Sequence, residues 1–338
     1  MNATTNTPIP EMYIPEAPPI PTLTMDPPTG PDKIMFIKTN NREEWLALRH
    51  NYIGGSDAAA IVGLNAYCSP YALWAEKTDR IPGFEGNLAT EAGAFMEEFV
   101  AKKFAEVTGK KVRRCNRSIY NSKYPWALAN IDREIVGEDA VLEIKTTDSM
   151  NMKKFRGGEY PANYYCQVMH YLAVTGKKKG YIAVLIGNKE LKIFEVQRDE
   201  EEIAALMMAE SAMMWCIKTD TPPEIDGEKA TADALKTIYS DADDSTADLT
   251  GCMGDAISYL TYKEEIDRLQ KKADECANRI KAAMGNASIG DLTGYKISWK
   301  PQTKKTFDTK RFVKDHPELD LSSYYKESTS RVFRFAQA

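Results

Sequence analysis

Apolar and polar residues alternate along two neighbouring segments and predict a β-hairpin. The first strand is predicted over residues 127–136 and the second over residues 139–146, with Gly137 and Glu138 between them. A glycine followed by one further residue suits the central positions of a type II′ turn, whose twist matches that of paired strands. The pattern therefore predicts an antiparallel pair joined by a two-residue turn.

The turn also predicts which residues of the two strands face each other. It would pair Val136 with Asp139, and counting back along both strands then places Asp132 directly opposite Glu143. Because side chains alternate between the two faces of a strand, Lys145 lies on the same face as Glu143. The register predicts that these two carboxylates and the lysine converge on one patch.

An amphipathic helix is predicted over residues 91–107, because apolar residues recur there every three or four positions. The apolar face comprises Met96, Phe99, Val100, Phe104 and Val107. Glu97 lies at helical spacing from Val100 and Phe104, on the inward flank of the helix. An inward carboxylate requires a positive partner, since an unpaired buried charge is costly. That partner is either a metal ion or an arginine from elsewhere in the chain.

A second helix is predicted over residues 161–175, opened by Pro161 at its first turn and stopped by Gly176. Gln167 and Tyr171 lie one turn apart on this helix and face the same way. Alone, such a pair is typical of polar groups in a protein core. Beside the hairpin, it is a candidate to support the three charged residues.

Farther along the chain, a long helix is predicted over residues 255–284, with Ile257, Leu260, Ile266 and Leu269 among its apolar positions. The tail from Lys296 to Arg334 has ten basic and five acidic residues, interleaved with aromatic residues. This composition is typical either of a small packed subdomain with a solvated basic face or of a module that contacts nucleic acid.

Composition divides the chain into four parts. Residues 1–33 contain nine of the 17 prolines and no basic residue before Lys33, which predicts a disordered leader. Mixed helix and strand signals predict one folded domain over residues 34–220. An acidic linker with a weak helix is expected over residues 221–254, and residues 255–338 comprise the long helix and the basic, aromatic tail.

Charge, cysteines and histidines limit the possible chemistry. The six cysteines are widely spaced without a CxxC pair and there are three histidines, which disfavours zinc, disulfide, iron–sulfur and Ser-His-Asp sites. The formal net charge of −5 disfavours an indiscriminate polyanion binder, although a local basic channel remains compatible with it. The sequence shows no membrane span or secretory signal, which predicts a cytoplasmic protein. Carboxylates must carry any metal chemistry.

The predicted patch suits a divalent metal. At cross-strand distance, Asp132 and Glu143 repel each other unless a positive group lies between them. Mg²⁺ or Mn²⁺ is the simplest such group, because carboxylate oxygens, joined by the Ile144 backbone carbonyl, are hard ligands. Lys145 would then orient or deprotonate a water molecule, or offset charge developing on a phosphate. The alternative is an exposed hairpin with an ordinary Glu–Lys pair.

At these residues the sequence resembles the YqaJ-type phage recombination nucleases, relatives of the lambda-type exonucleases within the PD-(D/E)XK superfamily. The resemblance covers roughly residues 45–216. It rests on residues 49–64 (RHNYIGGSDAAAIVGL), 69–77 (SPYALWAEK), Gly93 with Glu97, 124–132 (YPWALANID), 143–146 (EIKT), 167–174 (QVMHYLAV) and 198–199 (RD). It implies an α/β restriction-endonuclease-like nuclease core over residues 34–220, with a mixed five-stranded sheet flanked by helices. A helical and α+β extension would follow.

The resemblance also implies roles for single residues. The implied metal ligands are Asp132, Glu143 and Glu97, and the implied catalytic lysine is Lys145. Gln167 and Tyr171 match the QxxxY motif of the related RecB-type nucleases, which implies that they lie in the active site or contact DNA. In the family, the residues matching Arg49 and Ser56 help to hold a 5′-phosphate.

The block around Ser56 has a physical interpretation as well. Ser56 is predicted to be the N-cap of a helix starting at Asp57, and Gly54 and Gly55 would let the backbone approach a ligand closely. The free amides of a helix N-terminus bind phosphate, although Asp57 itself is not expected to contact DNA. The alternative is simple capping beside a surface arginine, Arg49.

One departure from the lambda-type pattern concerns the 5′-phosphate. Lambda-type enzymes carry a further phosphate-binding arginine shortly after the lysine motif, whereas residues 146–152 (TTDSMNM) contain none. Arg156 or Lys153 is a candidate substitute. Dependence on a 5′-phosphate is therefore left open by the sequence.

The resemblance predicts a Mg²⁺-dependent 5′ to 3′ exonuclease on linear double-stranded DNA, of phage or prophage origin. Lambda-type members leave 3′ single strands for an annealing protein of the RecT/Beta type and assemble as rings, so both partners are expected here. The alternatives are a PD-(D/E)XK endonuclease or end-processing nuclease, and an inactive DNA-binding or assembly factor. ATP is not expected as a cofactor, because the chain has no GxxxxGK[ST] loop, and neither is an iron–sulfur cluster.

Overall fold

The computed structural model describes residues 33–243, 245–327 and 331–336. The chain divides into two compact units, Met1–Tyr239 and Ser240–Ala338. The predicted leader, residues 1–33, lies outside the described residues except for Lys33, and its disorder stays a prediction. Among the described residues, no helix has both the length and the apolar character needed to cross a membrane.

A mixed five-stranded sheet forms the centre of the first unit. Its strands are β3 (Val112–Arg114), β6 (Arg133–Ile135), β7 (Ala140–Thr147), β8 (Lys179–Ile186) and β9 (Glu190–Gln197). They lie in the order β3-β6-β7-β8-β9; β7 and β8 are parallel, and the other neighbours are antiparallel.

The predicted hairpin register is confirmed. Arg133 pairs with Leu142 and Glu134 pairs with Val141, and the same register continues to Asp132 opposite Glu143. Gly137 has a φ of 81°, a positive value that glycine adopts without strain and that a type II′ turn needs at its first central position. Turn chemistry alone was sufficient to align the two strands.

A second, four-stranded sheet has the order β1-β4-β5-β2. Its strands are β1 (Ile34–Ile37), β2 (Ile53–Gly54), β4 (Ser118–Asn121) and β5 (Ala127–Ala129). The prediction of one strand over residues 127–136 is therefore wrong, since β5 and β6 belong to different sheets. Between them, Asn130 Oδ1 accepts hydrogen bonds from Trp45 Nε1 at 3.3 Å and Ser118 Oγ at 2.6 Å. These side-chain contacts hold the chain where it changes sheets.

Seven α-helices and one 3₁₀ segment are described in the first unit. The helices are α1 (Arg42–Asn51), α2 (Gly55–Ile61), α3 (Pro70–Lys77), α4 (Leu88–Thr108), α5 (Ala162–Thr175), α6 (Glu200–Lys218) and α7 (Lys229–Ile238), and the 3₁₀ segment is Ser149–Gly158. The predicted helix over residues 161–175 is confirmed as α5. It ends at Gly176, whose φ of 69° lies in the left-handed region.

Helices cover both faces of the five-stranded sheet. On one face, Val141, Ile182 and Val184 pack with residues of α5 and α6. On the other face, Leu142 and Ile144 pack with residues of α4. Neighbouring residues of β7 thus enter different cores, as the alternation of a strand requires. The predicted architecture, a mixed five-stranded sheet flanked by helices, is confirmed.

The apolar face predicted for α4 is too wide. Val100 and Phe104 are buried, but Phe99 is 46% exposed and Val107 is 69% exposed. Phe99 lies about 100° around the helix from Val100. Val107 lies in the last turn, beyond Phe104. The sheet therefore contacts a narrower and shorter stripe than the hydrophobic pattern predicts.

The first unit extends past the predicted boundary at residue 220. Helix α7 lies within the predicted acidic linker, residues 221–254, yet Thr231 and Ala234 are buried. Thr231 Oγ1 shares a hydrogen bond of 2.6 Å with Ser69 Oγ, and Ala234 belongs to a core cluster with Tyr71. The acidic composition of the segment masked one apolar helical face, so the predicted linker is too long.

The second unit contains a long helix followed by short elements. These are α8 (Met253–Met284), β10 (Ile289–Leu292), β11 (Tyr295–Ser298) and α9 (Thr309–Asp315). The predicted helix over residues 255–284 is confirmed, and β10 pairs with β11 in antiparallel fashion. No residue of this unit is buried within the part of the chain that the structure describes.

Candidate active site

Two carboxylates meet where β6 and β7 begin to separate. Asp132 Oδ2 accepts a hydrogen bond of 2.7 Å from the backbone N–H of Ile144. Burial, together with the neighbouring charge of Glu143, raises the pKa of Asp132 well above its usual range. Glu143 is 3% exposed, and its Oε2 atom has no hydrogen-bond partner among the described residues. A buried carboxylate oxygen without a partner is costly, so this arrangement favours a cation.

Lys145 links the carboxylates to helix α5. Its Nζ atom lies 2.7 Å from Glu143 Oε1 and donates to Gln167 Oε1 at 2.8 Å. Gln167 Nε2 in turn donates to the hydroxyl of Tyr171 at 2.7 Å. Burial alone would lower the pKa of Lys145, but the charge and hydrogen bond of Glu143 raise it. The structure therefore brings together five predicted residues: Asp132, Glu143, Lys145, Gln167 and Tyr171.

Gly55 is required by this cluster and not by a ligand. A Cβ atom at position 55 would lie 2.5 Å from Tyr171 Cε1 and 3.1 Å from Gln167 Cγ, closer than side chains pack. The predicted close approach of the backbone therefore exists, but its partner is helix α5. Gly54 is less restricted, since a Cβ atom at that position would meet nothing nearer than Asp57 Oδ2 at 3.8 Å.

Glu97 has an arginine as its partner in this structure. Arg133, which is buried, forms ion pairs with Glu97 and with Glu98, the latter at 3.0 Å. Arg133 Nη1 also donates to the backbone carbonyl of Asp132 at 2.7 Å. Glu97 remains close enough to Asp132 to contribute to its raised pKa. The structure thus provides the predicted arginine partner, and metal binding by Glu97 stays a prediction.

Arg133 is a residue that sequence reasoning missed, although a signal for it existed. Arg133 lies on the opposite strand face from Asp132, the side on which its pairing partner Leu142 enters the core. A charge on that face needs a partner, and the predicted inward carboxylate of Glu97 offered one. Matching the two inward charges would have identified the pair.

Arg49 and Ser56 contact each other, as the resemblance implied for a shared role. Arg49 Nη2 donates to Ser56 Oγ at 2.8 Å, and its guanidinium lies 4.7 Å from the ring centroid of Trp45. Ser56 is not an N-cap, however. Helix α2 is capped at Gly54, whose N–H donates to Asp57 Oδ2 at 3.0 Å. Because Asp57 supplies the capping acceptor, the Ser56 hydroxyl is left to Arg49.

Asp57 is neutralised by a buried lysine. Lys77 Nζ lies 3.0 Å from Asp57 Oδ2, and the two side chains are 6% and 14% exposed. The same Nζ donates to the backbone carbonyls of Arg49 at 2.6 Å and Tyr52 at 2.9 Å. All three protons of the ammonium group are therefore used. The negative charge near the Arg49–Ser56 pair is offset within the protein.

The residues present fit a hard divalent cation. Two carboxylates at close range, one of them with an unpartnered buried oxygen, match the ligand preference of Mg²⁺ and Mn²⁺. No cluster of three or more His, Cys, Asp or Glu ligands is found in the described part of the chain, and Glu97 forms an ion pair with Arg133. The carbonyl of Ile144 stays a predicted ligand.

The mixed sheet, with two carboxylates and a lysine at the end of its hairpin, has the arrangement that the sequence predicts for a metal-dependent nuclease. A family model described as "YqaJ-like viral recombinase domain" matches residues 44–178. The chain is 40% identical over 300 residues to the "Uncharacterized protein YqaJ" of Bacillus subtilis (strain 168), which covers 87% of this chain and 93% of that protein. The chain belongs to the YqaJ-like viral recombinase family.

Two solved structures are similar to about half of the chain. An alkaline exonuclease (LHK-Exo) from Laribacter hongkongensis superposes with a TM-score of 0.46 and 18% identity, covering 53% of this chain and 94% of that one. A phage related exonuclease from Haemophilus somnus 129PT gives a TM-score of 0.40 and 13% identity, covering 51% and 96% of the respective chains.

Proposed function

We propose that the chain is a Mg²⁺-dependent deoxyribonuclease that degrades linear duplex DNA from 5′ to 3′ and leaves 3′ single-stranded tails. The observation that carries the proposal is the unpartnered Oε2 of Glu143 beside Asp132 and Lys145. A fold needs no such buried, repelling pair for stability, whereas hydrolysis of a phosphodiester needs concentrated charge of both signs. Membership of a viral recombinase family supports DNA as the substrate.

Each residue of the cluster has a distinct task. Asp132 and Glu143 would hold the cation, with Glu97 as a third ligand once it leaves Arg133. A bound Mg²⁺ would supply positive charge that activates water and polarises the phosphate. Lys145 offsets negative charge that develops on the phosphate, because its ammonium group is already directed to oxygen acceptors.

Gln167 and Tyr171 act on Lys145. The amide oxygen of Gln167 accepts from Lys145, and the amide nitrogen is occupied by Tyr171. The backbone at Gly55 lies close to both side chains, since a Cβ atom there would lie 2.5 Å from Tyr171 Cε1 and 3.1 Å from Gln167 Cγ. The pair therefore fixes the position of the ammonium group.

The 5′ to 3′ direction of digestion is assigned to Arg49 and Ser56. Their mutual contact presents a guanidinium and a hydroxyl together, a combination suited to a terminal 5′-phosphate. Arg156 and Lys153 remain candidates for the arginine that lambda-type enzymes carry after the lysine motif. The resulting 3′ tails would be taken up by a single-strand annealing protein of the RecT/Beta type, and a ring of several copies would keep the enzyme on DNA.

The test is a time course on linear duplex DNA labelled at the 5′ or the 3′ end, with and without Mg²⁺. Wild-type protein should release the 5′ label first as short products, and chelation should stop release. We expect Glu143→Gln and Lys145→Ala to lower the rate by about 10²–10³-fold or more, the range for losing one charge-stabilising group. Lys192→Ala, at a half-buried lysine that pairs with Glu190 on strand β9 of the same sheet, is the matched control.

Three outcomes would contradict the proposal. If Lys145→Ala cut DNA at the wild-type rate, the chemistry assigned to the cluster would be wrong, because the lysine is the residue of the cluster that is hardest to replace. Efficient nicking of a closed circular plasmid would show that no DNA end is needed and would favour the endonuclease alternative. Absence of hydrolysis by pure wild-type protein, with intact binding to DNA, would favour the inactive assembly factor.

A further inference from the structure

A polar cavity of about 460 Å³ lies beside Asp132. The residues that line it include Glu97, Asn130, Trp45 and Arg117. The volume falls in the range of about 300–1,000 Å³ that is usual for small-ligand sites. Because the cavity shares Asp132 and Glu97 with the candidate metal site, whatever fills it lies next to the bond to be cut.

Three arginines line this cavity, and their surroundings differ. Arg133 is paired with Glu97 and Glu98, and Arg114 Nη2 lies 2.9 Å from Glu98 Oε2. Arg117 has no carboxylate partner in the described part of the chain. Its guanidinium lies 3.7 Å from the ring centroid of Phe36 and its charge also acts on Cys115, so neither contact is with a carboxylate. Arg117 is the lining cation with capacity for an anion.

The elements that hold these groups are rigid. Phe36 lies on β1, and Arg117 directly precedes β4. The two strands pair, and Ile37 of β1 faces Ser118 of β4. Trp45 is held by its hydrogen bond to Asn130. Groups fixed by sheet pairing and side-chain hydrogen bonds lose little freedom when a ligand binds. The cavity therefore combines a fixed cation, an aromatic wall and the catalytic carboxylate.

We propose that this cavity holds one nucleotide of the strand being cut and that Arg117 pairs with an internal phosphate of that strand. The proposal rests on the proposed nuclease function. An aromatic wall suits a base or sugar, and a forked guanidinium suits phosphate oxygens. The terminal 5′-phosphate is assigned to Arg49 and Ser56, which leaves an internal phosphate for Arg117.

The test compares Arg117→Gln with Arg113→Gln. Arg113 lies on β3, is exposed, is paired with Glu134 and does not line the cavity, so it matches Arg117 in charge while lying outside the proposed site. Steady-state kinetics are measured on linear duplexes that carry either a 5′-phosphate or a 5′-hydroxyl. For Arg117→Gln we expect KM to rise about tenfold on both substrates, with kcat within about twofold of wild type. For Arg117→Lys, which keeps the positive charge, KM should return part of the way to the wild-type value.

A second measurement keeps this test separate from the test of hydrolysis. Fluorescence anisotropy of a labelled duplex, without metal and across a salt series, should show a salt slope about one unit smaller for Arg117→Gln than for Arg113→Gln. Equal KM values and equal slopes for the two variants would overturn the proposal. A KM increase confined to 5′-phosphorylated ends would also overturn it, because Arg117 would then hold the terminal phosphate. If wild-type protein does not cut DNA, the salt slopes still decide about Arg117.

Discussion

Two lysines of the first unit are held inside the fold in opposite ways. Lys77 directs its three protons to Asp57 and to two backbone carbonyls, so every polar atom of that group has a partner. Lys145 contacts Glu143 and Gln167, but one oxygen of Glu143 has no partner among the described residues, and the neighbouring Asp132 has a raised pKa.

The comparison between Lys77 and Lys145 shows how a buried charge that stabilises the fold differs from one in a candidate active site. Around Lys77 the charges cancel within the protein, and nothing further needs to bind for the group to be stable. Around Lys145 there is one carboxylate too many, and the excess can be offset only by a proton or a cation. Around Lys77 the protein supplies every partner, whereas the cluster around Lys145 leaves a carboxylate oxygen for a cation.

The largest effect on stability is expected from Lys77→Met. It leaves Asp57 largely buried without its cation and two backbone carbonyls without a donor. Breaking a buried pair in this way costs about 3–5 kcal/mol. The free energy of unfolding is measured by urea titration. Added Mg²⁺ should not restore it, because the lost contacts lie in the framework.

The control for this prediction is Lys103→Met. Lys103 forms an exposed i,i+3 pair with Glu106 on α4, and such pairs contribute about 1 kcal/mol or less. Equal unfolding free energies for the two variants would mean that the Lys77 contacts do not stabilise the fold, and the comparison between the two lysines would fail.

A smaller effect is expected from Gly55→Ala, which disturbs the surroundings of Lys145 without removing a charge. The new Cβ must displace the Tyr171 ring or the Gln167 stem. Overpacking of this kind costs about 1–3 kcal/mol. We also expect a loss of nuclease rate of about tenfold or more, because the amide that positions Lys145 moves.

The matched control is Gly180→Ala on β8. A Cβ at this position would lie 2.4 Å from Val168 Cγ1. The crowding against α5 is therefore similar, but it affects Val168 and not Gln167, the residue that contacts Lys145. Both variants should lose comparable stability, measured by urea unfolding, while Gly55→Ala alone should lose nuclease rate per folded molecule. An equal loss of rate in the two variants would mean that crowding of α5 in general lowers activity.

The smallest effect concerns a third buried pair and pH. His170 Nδ1 lies 2.7 Å from Glu210 Oε1, and its Nε2 lies 3.2 Å from the backbone carbonyl of Leu128. Both ring nitrogens therefore face acceptors, as a protonated imidazole requires. Burial alone would lower the pKa of His170, but the charge of Glu210 raises it, and burial raises the pKa of Glu210 as well.

A raised folded-state pKa fixes the sign of this pH dependence. The stabilisation from His170 is fully present below its unfolded pKa of about 6.5 and is lost as pH rises through the folded value. Between pH 7 and pH 8, we expect unfolding free energy to fall by at most about 1.4 kcal/mol, the limit for one proton. Urea titrations at both pH values should show a smaller fall for His170→Gln. A wild-type curve that rises with pH would contradict the protonated pair.

The parts of the fold that were predictable depend on local rules. The Gly137 turn fixed the register that sets Asp132 opposite Glu143, and Pro161 with Gly176 bounded helix α5. Both results follow from backbone chemistry within a few residues, so they need no knowledge of distant contacts.

The parts that failed depend on partners far away in the chain. The break between β5 and β6 is held by Asn130 contacts to Trp45 and Ser118, which no pattern within residues 127–136 records. Likewise, α7 is recognisable as part of the first unit through its contacts with Ser69 and with the core cluster around Tyr71. The strand residues of the site were predicted, but Arg133 was missed. The alternation of side chains along a strand does not show which of several possible partners Glu97 will contact.

The parallel pairing of β7 with β8 has a consequence for the order in which the molecule matures. Residues 148–178, which include α5, connect β7 to β8 and must be synthesised before β8 can pair with β7. Parallel, non-local pairings of this kind are late events in folding. A nascent chain that ends before residue 179 already contains Asp132, Glu143 and Lys145, but lacks the strand that covers one edge of β7. We therefore expect the candidate active-site cluster to reach its folded arrangement only after synthesis has passed well beyond its own residues.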